Sequence, residues 1–133
     1  MESRIVYYSA RKTSLCEKAL RKSFSEMGLS LSGAAFATDR QALGDALIRA
    51  FADADAVFTV GGLGFGDGRS IRDIISQAAA SGKPSLCRKL KNSSGDDGFL
   101  LRAGRQVLVM LPDEPDQISA MMRGTLTAYF KSL

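Results

Sequence analysis

The stretch that decides the fold is VFTVGGLGFGDGRSI, residues 57–71. A β-branched and aromatic apolar run leads into a segment, residues 61–68, in which five of the eight residues are glycine. A helix-like pattern then begins near Ser70. This order is typical of a strand–loop–helix junction, where glycine lets backbone N–H groups approach an anion without a Cβ in the way. Because the helix start adds partial positive charge, we expect an anionic ligand at this junction.

The length and composition predict one domain over residues 1–133, large enough to bury a core without disulfides. No apolar run approaches the roughly 20 residues that span a bilayer, and the start of the chain has no signal-peptide layout. The two isolated cysteines, Cys16 and Cys87, suit a reducing compartment. We therefore expect a cytoplasmic protein with no membrane segment.

Histidine is absent, and neither cysteine belongs to a CxxC motif, so a transition metal held by the protein is not favoured. A magnesium ion held jointly by carboxylates and by the phosphate of a ligand is still compatible with the sequence. The net charge is +4. The clustered basic residues indicate either a solvated surface or attraction for a phosphorylated ligand. Nucleic acid is the third and least favoured interpretation, because no aromatic residues are interleaved with the basic ones to stack on bases. They are Arg11, Lys12, Lys18, Arg21, Lys22, Lys83, Arg88, Lys89, Lys91, Arg102 and Arg105.

The first half of the chain predicts two strands, each followed by a helix. Residues 4–8 form a good strand pattern and residues 29–36 a weaker one. Capping boxes at residues 14–17 and 38–41 predict the two helix starts, and Gly28 predicts the end of the first helix. The expected apolar faces are Leu15, Ala19, Leu20, Phe24 and Met27 in the first helix, and Leu43, Leu47, Ala50 and Phe51 in the second.

The second half predicts a central strand and three further elements. Residues 56–60 are continuously apolar, as in a parallel strand covered on both faces. A helix should follow from Ser70, then a polar surface loop over residues 83–97 and a hairpin of strands 99–102 and 106–111. The last helix carries an apolar stripe typical of a core: Ile118, Met121, Met122, Leu126, Tyr129 and Phe130. The alternation predicts an α/β fold, a three-layer α/β/α sandwich with a mainly parallel sheet.

The end of the first strand offers a second set of candidates. Ser9 follows that strand directly, and open α/β sheets bind ligands at the carboxyl ends of their strands. Ser9, Thr13 and Ser14 could donate to a phosphate, and Arg11 or Lys12 could neutralise one. For Ser14 the alternative is that it only caps the helix.

Three segments of the chain share motifs with one known family. Residues 53–64, DADAVFTVGGLG, are similar to the strand and loop ADLVITTGGTG, and residues 111–115, LPDEP, are similar to LPG-x-P. Residues 92–99, NSSGDDGF, resemble the N-P-x-G-x-A-x-G-F stretch of a CinA-like branch. On these motifs the chain resembles the molybdopterin-binding domain family, which includes MoaB, MogA and CinA-type proteins.

The resemblance implies a three-layer domain that holds molybdopterin, a phosphorylated pterin, or a nucleotide, in molybdenum cofactor biosynthesis. It also implies Mg²⁺ bridging phosphates, adenylyl transfer or pyrophosphate cleavage, and a homo-oligomer, trimer or dimer. Tyr7, Tyr8 and the last helix are the surfaces that we expect to serve an oligomer. The candidate ligand-binding residues are Gly61, Gly62, Leu63, Gly64, Gly66, Asp67, Arg69, Ser70, Ser9, Pro112 and Asp113.

The chain departs from the family pattern at two charged positions. Arg69 stands where the family has aspartate, and Asp113 replaces the glycine of LPG-x-P. Arg69 could clamp a phosphate in bidentate fashion, or it could point to solvent or pair with Asp67 or Asp73. Asp67 lies two residues upstream of the expected carboxylate and is the one catalytic candidate.

These departures leave several functions open. The chain could keep the family's chemistry, including nucleotide pyrophosphate hydrolysis of the CinA type. It could instead be an inactive relative that serves as a nucleotide sensor or partner-binding module. A nucleotide-binding α/β domain of another family is the third alternative, because a fold does not confer a function.

Overall fold

The computed structural model describes residues 1–63 and 86–133, and every structural statement concerns these residues. The strands are β1 (Glu2–Tyr8), β2 (Ser30–Ala37), β3 (Ala56–Val60), β4 (Leu86–Leu90), β5 (Gly98–Ala103) and β6 (Gln106–Leu111). The helices are α1 (Thr13–Met27), α2 (Arg40–Asp53), α3 (Pro115–Met121) and α4 (Thr127–Lys131). None of these helices is long and apolar enough to cross a membrane.

The six strands form one sheet in the order β2-β1-β3-β6-β5-β4. Strands β2, β1, β3 and β6 are parallel, whereas β5 runs antiparallel to both of its neighbours, β6 and β4. All five residues of β3 are buried, as expected for a central strand. The predicted central strand and the predicted hairpin of β5 and β6 are therefore confirmed.

Helices cover both faces of the sheet. On one face α1, α3 and α4 pack on β3, where the Phe58 ring lies 4.6 Å from that of Phe24 and 5.6 Å from that of Phe130. On the other face α2 packs through residues such as Leu43 against Val57 and its neighbours. The predicted three-layer α/β/α sandwich is confirmed.

Both helix starts differ from the prediction. Helix α1 begins one residue before Ser14, and its cap residue, Lys12, has no side-chain capping bond. Leu15 is 58% exposed, because the buried stripe of α1 runs from Cys16 at helical spacing and Leu15 lies outside it. In α2 the cap is Asp39, which accepts a hydrogen bond from the Ala42 N–H at 2.8 Å. Helix α1 ends at Gly28, as predicted, with a left-handed φ of 76°.

The loop predicted over residues 83–97 is wrong for residues 86–90, which form β4. Arg88 and Lys89 are exposed in this strand, and Leu90 is buried. Charged residues of this kind are common on edge strands, where they oppose pairing with a second chain. The polar sequence that suggested a loop is therefore the sequence of a sheet edge.

The last helix is interrupted. Arg123 (ψ 159°) and Gly124 (φ 71°, ψ −111°) leave the helical region between α3 and α4. Glycine tolerates this conformation, so the chain can turn there. The apolar stripe is nevertheless buried, as Ile118 and Phe130 show. Tyr7 and Tyr8 are also in the core, so the surface that we expected them to offer to an oligomer is absent from the described part of the chain.

Candidate ligand-binding site

Three parallel strands end together at one edge of the sheet. Strand β1 leads into residues 9–12, which we call the β1 turn, and β6 leads into residues 112–114, the β6 turn. Between them β3 leads into the described part of the glycine loop, residues 61–63. The Gly61 N–H donates to the carbonyl of Leu111 at 2.9 Å, which holds two of these strand ends side by side. The loops that the sequence places opposite each other thus share the carboxyl edge of the sheet.

The first glycine of the loop is required by close packing. Gly61 has a φ of 101°, and a Cβ at this position would lie 2.4 Å from the carbonyl oxygen of Tyr8. Only glycine lets β3 leave the sheet this close to the end of β1. Gly62 also has a positive φ, 79°, and Leu63 is half-buried.

Ser9 holds an unusual backbone conformation at the same edge. Its φ is 50°, which is uncommon for a residue with a side chain. Its N–H donates to the carbonyl of Ala37 at 2.8 Å, and its hydroxyl lies 3.5 Å from the carbonyl of Thr38. Strained residues of this kind cluster at functional sites, where the surrounding structure holds them.

Asp113 makes the contact that joins the β6 turn to the β1 turn. Its two carboxylate oxygens accept hydrogen bonds from the Arg11 N–H at 2.6 Å and from the Lys12 N–H at 3.1 Å. The Cys16 thiol lies 3.6 Å from the same carboxylate. Burial, followed by the charge of Asp113, raises the pKa of Cys16 to about 12, so this thiol stays protonated at neutral pH.

Lys12 is held by the next residue of the β6 turn. Its ammonium group bonds to both carboxylate oxygens of Glu114, one of them at 3.0 Å. This hydrogen bond raises the pKa of Lys12 above its ordinary value. Each of the two acidic residues of the β6 turn therefore has a donor on the β1 turn.

A cleft of about 340 Å³ continues the edge beside Glu114. Its walls are the β4–β5 loop and α3, and Asn92 and Gln117 join the two through a hydrogen bond of 2.7 Å. The backbone N–H of Asn92 donates to Asp97 at 2.8 Å, and this bond lowers the pKa of Asp97. This loop, which carries the motif resembling N-P-x-G-x-A-x-G-F, is therefore folded onto α3 beside the β6 turn. A second cleft of about 410 Å³ lies between β2 and α2 and shares no residue with the edge.

Two buried hydroxyls near this edge lack a hydrogen-bond partner among residues 1–63 and 86–133. They belong to Tyr7 in β1 and Thr59 in β3. Burial, with the nearby charge of Glu17, raises the pKa of Tyr7. Such orphan groups are rare in native proteins.

Several predicted site residues lie outside the described residues: Gly64, Gly66, Asp67, Arg69 and Ser70. The structure does bring Ser9, Gly61, Gly62, Leu63, Pro112 and Asp113 to one edge. The contacts of Asp113 and Glu114 with the β1 turn were not predicted from the sequence. Two adjacent acids after one parallel strand and two adjacent bases after another could have suggested the ion pair of Lys12 with Glu114, but not the backbone bonds to Asp113.

The described acids at this edge do not fit a magnesium site. Both oxygens of Asp113 accept backbone N–H groups, and both oxygens of Glu114 bond to Lys12. Magnesium binds through carboxylate oxygens that are free to coordinate it. No group of three or more acidic or cysteine side chains in the described ranges could hold a metal ion.

Comparison with known proteins agrees with this architecture. The chain is similar to the solved Mog protein of Mycobacterium ulcerans, with 18% identity over 98% of this chain and 97% of that one, and a TM-score of 0.74. The CinA protein of Thermoplasma acidophilum gives 18% identity, coverage of 92% and 94%, and a TM-score of 0.70. MoaB of Thermus thermophilus gives 15% identity, coverage of 99% and 97%, and a TM-score of 0.69. At these identities the likeness shows the fold alone.

No curated protein sequence matches the chain significantly. A family model described as the probable molybdopterin binding domain matches residues 8–131, nearly the whole chain. The match includes the β1 turn, the glycine loop and the β6 turn. The chain therefore belongs to the family of probable molybdopterin binding domains.

Proposed function

We propose that this protein binds a phosphorylated pterin of the molybdopterin type at the carboxyl edge of its sheet and serves molybdenum cofactor biosynthesis. The observation that carries the proposal is the meeting of three parallel strand ends there, inside the region that matches the family model. Open α/β sheets bind their ligands at such edges. A nucleotide is the alternative ligand, because it would present the same phosphate chemistry.

The glycine loop and Ser9 are the proposed phosphate-facing groups. Gly62 and Leu63 follow the tightly packed Gly61, and the exposed Ser9 lies at the end of β1 between Tyr8 and Ala10, the two residues that Gly61 approaches. The part assigned to Gly64, Gly66, Asp67, Arg69 and Ser70 rests on the sequence alone. In this proposal Arg69 supplies the guanidinium that holds the phosphate.

Binding without catalysis is the second candidate, and the engagement of the acids favours it. Asp113 and Glu114 are both engaged by donors of the β1 turn, which makes each of them a weaker base and a poorer metal ligand than a carboxylate without such partners. The described residues can thus position a ligand, which is the work of a carrier, sensor or partner-binding module. Asp67 is the candidate on which catalysis would depend.

Calorimetry under anaerobic conditions tests the proposal, with molybdopterin, ATP and AMP as the ligands. We expect molybdopterin to bind, and Ser9→Glu to weaken binding at least about tenfold, because a carboxylate beside a phosphate repels it. Ser25→Glu, on an exposed position of α1, is the matched control and should bind as the wild type does.

Two results would count against the proposal. If none of the three ligands binds the wild type, the function is wrong. If Ser9→Glu and Ser25→Glu bind molybdopterin equally well, the ligand does not sit at this edge. Arg69→Ala should weaken binding by about 1.5–3 kcal/mol, the range for a hydrogen bond to a charged group.

A further inference from the structure

The start of α1 already holds an anion that belongs to the chain itself. Two consecutive backbone N–H groups, those of Arg11 and Lys12, donate to the two oxygens of Asp113. The ammonium group of Lys12 bonds to Glu114. Backbone donors at a helix start and a nearby lysine are the groups that proteins use to bind a phosphate. Here two adjacent carboxylates take their place.

Helix α1 has a physical need for this carboxylate. It is fifteen residues long, its cap residue Lys12 makes no side-chain capping bond, and its first turn contains no acidic residue. A negative charge near a helix N-terminus is stabilising, and the local sequence does not provide one. Asp113 provides it from the β6 turn, more than a hundred residues away in the chain.

We propose that Asp113 and Glu114 determine the charge specificity of the site by closing the β1 turn to phosphate. A phosphate entering this turn would have to displace two charge-assisted hydrogen bonds and would meet the negative charge of Glu114. The phosphate of a ligand is therefore confined to the side of the glycine loop. This inference rests on the proposed function for the ligand's place at the edge, and it disfavours polyphosphate chains that must extend to α1.

The neighbouring residues keep this contact closed. Cys16 is fully buried, and its thiol lies 3.6 Å from an oxygen of the Asp113 carboxylate. Because the pKa of Cys16 is raised to about 12 by burial, the thiol brings no second negative charge to the turn at neutral pH. The thiol therefore does not compete with Asp113 for the Arg11 and Lys12 N–H groups.

Amide NMR with inorganic phosphate and pyrophosphate as probes tests the inference. In the wild type we expect the Arg11 and Lys12 amide signals to stay unchanged as either anion is added. In the double variant Asp113→Asn/Glu114→Gln these two signals should shift and saturate, with an apparent affinity at least about tenfold higher. The matched control, Asp96→Asn/Asp116→Asn, removes the same charge from exposed positions and should behave as the wild type does.

Two outcomes would overturn the inference: saturable shifts of Arg11 and Lys12 in the wild type, or no gain in the double variant when its other amide signals show an intact fold. If that variant does not fold, Glu114→Gln alone decides, because it keeps the cap of α1 and should still gain a weaker phosphate response. The readout uses inorganic anions at two named amides. It can therefore succeed even if molybdopterin fails to bind, and it can fail when molybdopterin binds.

Discussion

Replacement of Gly61 by alanine should destabilise the protein strongly, for reasons that involve no ligand. The added Cβ would lie 2.4 Å from the Tyr8 carbonyl oxygen, well inside a normal contact. Relieving such overpacking costs about 1–3 kcal/mol. A residue with a Cβ held at a positive φ costs about 1–3 kcal/mol more, and Gly61 has a φ of 101°. We expect a total loss of about 2–6 kcal/mol in the free energy of unfolding.

Gly44→Ala is the matched control. Gly44 lies inside α2, and a Cβ there would meet no atom within 4 Å. Because alanine is the better helix former, this change should stabilise the protein by about 0.5–1 kcal/mol. The same chemical substitution thus has opposite signs at the two positions.

Urea unfolding and thermal melting would measure the difference. An unfolding entropy of about 2.1 cal/mol/K per residue over 133 residues gives about 280 cal/mol/K, so each kcal/mol shifts Tm by about 3.6 °C. Gly61→Ala should therefore melt about 7–22 °C below the wild type, and Gly44→Ala slightly above it. If Gly61→Ala is as stable as the wild type but binds no phosphorylated ligand, Gly61 serves the ligand and the packing argument is refuted.

Three further predictions concern the same edge. Asp113→Asn should lower the free energy of unfolding by about 1–2 kcal/mol, because α1 loses the negative charge at its N-terminus. The control Asp55→Asn, at an exposed position on the opposite edge of the sheet, should change that free energy little, and equal losses for the two variants in urea unfolding would contradict the prediction. Thr59→Val should raise the free energy of unfolding by about 1 kcal/mol, since it removes a buried hydroxyl that has no hydrogen-bond partner among the described residues. A lower free energy of unfolding in this variant would show that the hydroxyl does have a hydrogen-bond partner. The pKa of Cys16 is raised to about 12, so the folded state keeps the thiol proton to a higher pH than the unfolded state does, and the free energy of unfolding should fall as pH rises from about 9 toward 12. In urea unfolding at pH 8 and pH 10.5, Cys16→Ala should show a smaller fall than the wild type. At pH 8 iodoacetamide should modify the exposed Cys87 before the buried Cys16.

The sequence predicted the layers and the central strand because their signals are local and strong. The apolar run of β3 is a pattern of burial on both faces, and the glycine at the end of α1 marks a helix stop. The β4 strand could not be predicted in the same way. It is a charged edge strand in which Leu90 is the one buried residue, and its hydrogen bonds to β5 are not visible in its own sequence.

The contacts of the candidate site were harder to predict than its location. Parallel strands placed the β1 turn, the glycine loop and the β6 turn at one edge, and this follows from the order of elements alone. The bonds from Arg11 and Lys12 to Asp113 depend on the angle at which α1 starts, and no periodicity encodes that angle. The same is true of Gly61, whose role depends on the distance to the Tyr8 carbonyl.

The replacement at position 113 links the stability of the fold to its ligand chemistry. The resemblance implies a glycine there, whose backbone could approach a ligand but could not cap α1. Asp113 places a carboxylate at the start of α1, and its two hydrogen bonds occupy the Arg11 and Lys12 N–H groups, two donors that a phosphate in the β1 turn would use. The negative charge at the start of α1 and the exclusion of phosphate from the β1 turn are therefore two consequences of one side chain. A substitution of Asp113 that opens the turn to phosphate must also remove this carboxylate from the start of α1, so the two properties cannot be altered independently at this residue.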